Sequence, residues 1–280
     1  MDLRLFKATW GMTGPIEAQL EQIAAAGYDG VELRCPPADE RLTEGQRRAV
    51  LASGLEAIPL VVSFTPDRDE YRRVLEEAVR YAPRQVTSHT AYDAMSHAEA
   101  VDFLGWAQGL AADLGVVVNH ETHRQHLFAT PWQTAALLRE LPGLRIVADY
   151  SHWVVVAERL LDDRADDMAI ANAHAMHIHA RVGHPEGPQV NDPRSPSNAA
   201  AVARHEAWWL DIIRRRAVDG EARITVTPEW GPPPYMPTLP FTDQPVVDLW
   251  SLCLWGADRM RGLFALATSG TSTGVVGGRG

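Results

Sequence analysis

"VVVNHETHRQHLFATPWQTAALLRELPGLRIVADYSH" runs from Val116 to His152. An apolar run, VVVNHETH (116–123), ends in polar residues. A helical stretch, TPWQTAALLRELPG (130–143), follows, and a second apolar run, LRIVADYSH (144–152), closes the unit. Two strands joined by a helix read as a right-handed parallel crossover.

The same unit repeats outward in both directions. Strands are expected at 3–11, 30–34, 55–63, 85–90, 116–123, 144–152, 175–183 and 222–230. Helices are expected at 15–27, 43–54, 67–82, 97–115 and 130–143, from the sixth strand to about 172, and at 198–220 and 245–266. In the third helix, Tyr71, Val74, Leu75, Ala78 and Val79 form one apolar stripe. Eight strand–helix units in 280 residues fit a (β/α)8 TIM barrel, an α/β fold of one domain over residues 1–268. An open doubly wound sheet would want a glycine-rich phosphate loop after the first strand, and KATWGMTGP (7–15) is not one. The tail from residue 269, low in complexity, is expected to be disordered.

A formal charge of −10 repels phosphate backbones, which argues against nucleic acid as a partner. No basic run suggests an anionic membrane surface, and no apolar run is long enough for a membrane span. The first residues lack the apolar stretch of a signal peptide, so a cytoplasmic protein is expected. Cys35 and Cys253 suggest neither a disulfide framework nor a thiolate metal site.

In such barrels chemistry sits at the C-terminal ends of the strands. Strands four to eight end there in Ser88-His89-Thr90, Asn119-His120-Glu121-Thr122-His123, Asp149-Tyr150-Ser151-His152, His177-Ile178-His179-Ala180-Arg181 and Thr227-Pro228-Glu229-Trp230. Alternation along a strand puts Glu121, Asp149, His179 and Glu229 on the inner face at one height. Three converging carboxylates repel one another unless a cation lies between them. One imidazole and three carboxylates suit Mn2+ first, with Mg2+, Co2+ and Zn2+ as alternatives. His177 is expected one layer deeper. Arg181 is placed at the rim for a substrate oxygen, or as a neutraliser of the acidic cluster. His89 reads as a pocket wall or a neighbour of the metal site, and Glu32 as a pocket residue or an interior ion-pair partner. His123, His126 and His184 are rim candidates, and His120 points away from Glu121. Trp10 and Trp230 stand at strand ends, as candidate substrate contacts.

NHETH (119–123), ADYSHW (148–153), HIHARVG (177–183) and TPEWGPPPY (227–235) resemble the xylose isomerase-like TIM barrels over about residues 3–265. That superfamily holds sugar isomerases and epimerases, inosose and dehydroshikimate dehydratases, and endonuclease IV. The resemblance implies a metal held by Glu121, Asp149, His179 and Glu229, at spacings of 28, 30 and 50 residues, and a substrate contact from His152. The pattern departs from the single-metal epimerases at two places. The substrate arginine expected several residues after the metal histidine is replaced by Pro185. Arg124-Gln125-His126 stands where an acidic substrate contact is usual.

The expected activity is that of a divalent-metal-dependent sugar isomerase or epimerase. Glu121 and Glu229 would transfer the proton next to a carbonyl, through a metal-stabilised enediolate. A dehydratase of a cyclic polyol ketone such as an inosose is the alternative, and a non-catalytic binding barrel a third reading. The partner is a small sugar or polyol, and a homo-oligomer is left open. Residues 183–198 carry few large apolar groups and read as a solvated loop. The loop 231–245, with six prolines and the apolar Tyr235, Met236, Leu239 and Phe241, reads as a pocket roof or a subunit contact.

Overall fold

The computed structural model describes residues 1–36 and 39–269. Its strands are β1 (Asp2–Ala8), β2 (Gly30–Arg34), β3 (Glu56–Val62), β4 (Gln85–His89), β5 (Val117–Glu121), β6 (Ile146–Ala148), β7 (Ala175–His179) and β8 (Arg223–Thr227). They pair in sequence order, all parallel, and β8 closes on β1. The helices are α1 (Ile16–Ala25), α2 (Thr43–Ser53), α3 (Arg68–Val79), α4 (His97–Asp113), α5 (Pro131–Glu140), α6 (Tyr150–Ala157), α7 (Ala165–His174), α8 (Ala199–Val218) and α9 (Leu249–Thr268). The chain is a single (β/α)8 barrel. Most of the expected tail, from residue 270, lies outside the described residues.

Local chemistry sets the helix starts. The side chains of Asp67, Thr130 and Asp248 accept backbone N–H groups at the heads of α3, α5 and α9. Ser96 and Glu99 bond each other's backbone reciprocally at the head of α4. On α3 the expected stripe buries Tyr71, Val74, Leu75 and Ala78 against the barrel. Tyr71 also places its hydroxyl 3.1 Å from Ser88 Oγ.

One unit differs from the sequence reading. The sixth strand is three residues long, not nine, and Tyr150, Ser151 and His152 form the first turn of α6. The cause is Asp149. Its side chain caps α6 by accepting the Ser151 N–H at 3.2 Å, which ends the strand at the polar residue meant to cross into the barrel mouth. The helix expected to run to about 172 is also broken in two. Glu158 and Leu161 between α6 and α7 adopt left-handed backbone, with φ of 51° and 58°.

The barrel interior is filled in layers. Phe6 lies against Gly30, the residue paired with it on β2. Above them, polar side chains of β2, β4, β7 and β8 meet one another rather than solvent. Gly30 is required by this packing. A Cβ there would lie 2.3 Å from the Phe6 ring and 2.4 Å from the Glu56 carbonyl oxygen. Gly30→Ala is therefore expected to destabilise the fold by about 1–3 kcal/mol. A chemical denaturation midpoint equal to that of the parent protein would contradict this.

Candidate active site

The centre of the barrel mouth is His179, at the end of β7. Glu32 lies beside it from β2. Its two oxygens each sit 3.0 Å from His179 Nε2. Glu32 also accepts the hydroxyls of Thr87 and Thr227, both at 2.5 Å. Burial alone would push the Glu32 carboxyl up, but His179 and His177 beside it hold it well below the usual carboxylate range. A carboxylate accepts and never donates, so His179 carries a proton on Nε2. Its other nitrogen, Nδ1, faces Glu121 Oε2 at 3.4 Å and Glu229 Oε2 at 3.6 Å. That nitrogen is buried and has no hydrogen-bond partner.

Glu121 ends β5 and is clasped on its other side by His89, whose Nε2 lies 2.8 Å from Oε2. Burial opposes the charge on Glu121, yet His89 and His179 outweigh it and hold the carboxyl well below its ordinary range. Asp149 is fully buried. Its Oδ1 takes the Ser151 hydroxyl at 2.5 Å, and its Oδ2 takes the Arg181 guanidinium. Burial, reinforced by Glu121 and Glu229, raises the Asp149 carboxyl to about 6 in spite of Arg181. Glu121, Asp149 and His179 each bring one ligand atom within 4.8 Å of the others. Glu229 joins them through its contact with His179 Nδ1.

These residues fit a divalent cation. Three carboxylates and His179 Nδ1 among them form the donor set. Burial opposes the charge on His179, but Glu32, Glu121 and Glu229 outweigh it and raise the imidazole well above its ordinary range, so a bound ion would take the place of the Nδ1 proton. Glu32 fixes the ring so that this nitrogen is the one presented. The sequence offered Glu32 as a pocket residue or an interior ion-pair partner, and it is both, paired with His177 and His179 at the cavity wall.

Arg181 is not at the rim. It is 1% exposed, and its Nη1 lies 3.4 Å from Glu229 Oε2 while its Nη2 bonds Asp149. The chain after β7 turns tightly, with the Arg181 N–H donating to the His179 carbonyl, and this sends the side chain inward. Gly183 then passes flat over α6, where a Cβ would lie 2.7 Å from the Ser151 carbonyl oxygen. Arg181 thus pairs with Asp149 and Glu229 while still lining the cavity.

The expected substrate contacts divide. Trp10 and His89 line the cavity above the cluster. His152 does not. It is fully buried, packs on His123 with ring centres 3.9 Å apart, and accepts from Arg181 at 2.7 Å. Trp230 is also turned away from the cavity. Alternation along the chain sends Glu229 inward and Trp230 outward, onto Trp255 and Gly256 of α9. His177 lies deeper, as expected, with Nδ1 2.7 Å from Thr225 Oγ1. His120 packs outside the barrel wall, stacked on Phe128.

The cavity is about 340 Å3, within the range of small-molecule sites, about 300–1,000 Å3. Glu121, Glu229 and Arg181 form its polar floor, and Leu60, Val62 and Phe64 line one apolar side. Tyr235 roofs it from the proline-rich loop, with its ring 4.9 Å from Trp10 and 5.1 Å from the guanidinium carbon of Arg181. The outer part of that loop is exposed at Leu239 and Phe241. Residues 183–198 are less solvated than expected. Gln189 is buried and exchanges two hydrogen bonds with the Gly231 backbone, which ties this segment to the roof.

A sequence model of the family described as "Xylose isomerase-like TIM barrel" matches residues 20–208. The chain belongs to this family. No curated protein matches it by sequence. Among solved structures it is similar to an E. coli 3-keto-D-glucoside 4-epimerase in its apo form, at 12% identity, with 93% of this chain and 100% of that chain covered and a TM-score of 0.60. It is similar to a xylose isomerase-like barrel from Mycobacterium smegmatis in complex with magnesium, at 12% identity, with 96% and 98% covered and a TM-score of 0.59. It is also similar to a probable 3-DHS dehydratase from Bacillus anthracis, at 15% identity, with 81% and 92% covered and a TM-score of 0.54. At these identities the likeness is one of fold. Among the described residues, no helix is long and apolar enough to cross a membrane.

Second-sphere partners of metal histidines typically contribute about 10–100-fold in affinity. Glu32→Gln should weaken Mn2+ binding by about that factor while the barrel stays folded. A manganese titration of chelator-stripped protein, followed by calorimetry, checks this, and an unchanged dissociation constant would contradict it.

Proposed function

We propose that this protein is a divalent-metal-dependent sugar isomerase or epimerase, with Glu121, Asp149, His179 and Glu229 as the metal ligands. The observation that carries the reading is the unpartnered Nδ1 of His179, buried between Glu121 and Glu229 at the floor of a sugar-sized cavity. Similarity to an epimerase and to a magnesium-bound member of the family supports it. A bound Mn2+ or related ion would act as a Lewis acid, drawing negative charge from a carbonyl and its neighbouring hydroxyl.

The protein's own groups supply the rest. Glu121 and Glu229 come from β5 and from the residue pair after β8, so two separate elements bring carboxylates to the cavity floor beside His179 Nδ1. One removes the proton from the carbon next to the carbonyl. The other returns it, to the opposite face for epimerisation or to the adjacent carbon for isomerisation. His89 donates to Glu121 and keeps it ionised, as a base must be. Arg181 balances Asp149 and Glu229 and offers its face to Tyr235 and Trp10. Trp10 and Tyr235 give the aromatic surface on which a sugar's C–H face packs, and the roof sheds water from the reacting carbon.

A panel of ketoses and inososes incubated with Mn2+ in D2O tests this. The expected result is exchange of a substrate C–H for deuterium without loss of water; loss of water would identify a dehydratase instead. Glu229→Gln should lower turnover by about 10²–10⁴-fold. Near-parental turnover in that variant, or full turnover after metal removal, would overturn the proposal.

A further inference from the structure

We infer that His89, His123 and His126 form a second cation site in the same cavity, suited to a borderline divalent ion such as Zn2+ or Co2+. It goes beyond the proposed reaction, in which His89 serves only to hold Glu121 and in which His123 and His126 take no part. One ring nitrogen from each of the three histidines lies within 4.8 Å of the others. Their ring centres are 4.3, 5.0 and 5.2 Å apart.

The hydrogen bonds decide which nitrogen each ring presents. His89 Nε2 faces the Glu121 carboxylate at 2.8 Å. His123 Nδ1 faces the Arg124 carbonyl at 2.5 Å, and His126 Nδ1 faces the Ala91 carbonyl at 2.7 Å, with the Ser63 carbonyl as a further neighbour of that ring. Carboxylates and carbonyls only accept, so in each neutral ring the named nitrogen carries the hydrogen. His89 Nδ1, His123 Nε2 and His126 Nε2 are left with their lone pairs. A ring N–H spent on a protein oxygen and a lone pair left over is the arrangement that orients metal-binding imidazoles.

The position of the cluster fits a ligand site. All three residues line the cavity, which gives an ion a route in and leaves a coordination position open on that side. Phe64 packs on the His126 ring at 4.9 Å. Nitrogens bound to one tetrahedral ion at about 2.0–2.1 Å would stand about 3.4 Å apart, so the rings must close slightly. Three imidazoles with no carboxylate form a softer set than the oxygen-rich centre beside them, and they select a nitrogen-preferring ion where the other selects Mn2+ or Mg2+. The two sites touch through the His89–Glu121 hydrogen bond.

The test is cobalt stoichiometry. Chelator-stripped protein is titrated with Co2+, desalted, and read by elemental analysis and visible absorption. Two equivalents are expected. His126→Gln should keep one and lose the absorption of nitrogen-bound, low-coordinate cobalt. Asp149→Asn should keep one and retain that absorption. The ion kept in each variant shows that the barrel is folded, and His123→Gln must repeat the His126→Gln result. A single equivalent in the parent protein, or loss of neither ion or of both in His126→Gln, overturns the second site. Two equivalents retained in Asp149→Asn would instead count against the four-residue centre, so the two failures are distinguishable.

Discussion

The structure depends on one electrostatic constraint. The barrel mouth gathers Glu32, Glu121, Asp149 and Glu229 around one imidazole, all of them nearly shut off from water. Removing a carboxylate from water costs several kcal/mol unless cations and hydrogen bonds replace the solvent. Here the replacements are specific. Glu32 has two hydroxyls and His179, Glu121 has His89, and Asp149 has Ser151 and Arg181. Glu229 has the edge of Arg181 and the bare side of His179. One guanidinium and one imidazolium balance only part of the charge of four carboxylates, and the remainder fits a divalent cation.

The constraint also explains the shape of the second half of the barrel. Asp149 must present an oxygen inward directly after a strand, and it does so by becoming a helix cap, which shortens β6 and starts α6 early. Arg181 must reach the same point from the next strand, and the tight turn after His179 together with the flat passage of Gly183 over Ser151 brings it there. The roof follows from the same region. Gln189 pins Gly231, and the prolines that follow hold Tyr235 over the guanidinium it stacks against.

The repeat of apolar runs and helical stretches was enough to read the barrel and its strand order, and alternation gave the inward face of strands five to eight. Glu121, Asp149, His179 and Glu229 were legible because each stands at a fixed parity just past an apolar run. Glu32 was only half legible. It lies on a strand with the same alternation, but nothing local in GVELR says that its partner is His179, 147 positions away. Parity put Arg181 on the inner face, where it lies, but the tight turn after His179 sets its depth, at the cavity floor and not the rim. The alternation that turns Glu229 inward turns Trp230 outward, away from the cavity. His89 ends β4, while His123 and His126 stand in the loop after β5, and only the folded chain shows that they share a wall.

The central claim is that this acidic mouth is built for a divalent ion. A crystal grown with manganese and measured near the manganese absorption edge tests it most directly. The account predicts an anomalous peak bonded to Glu121, Asp149, His179 Nδ1 and Glu229. No peak at that point would contradict it.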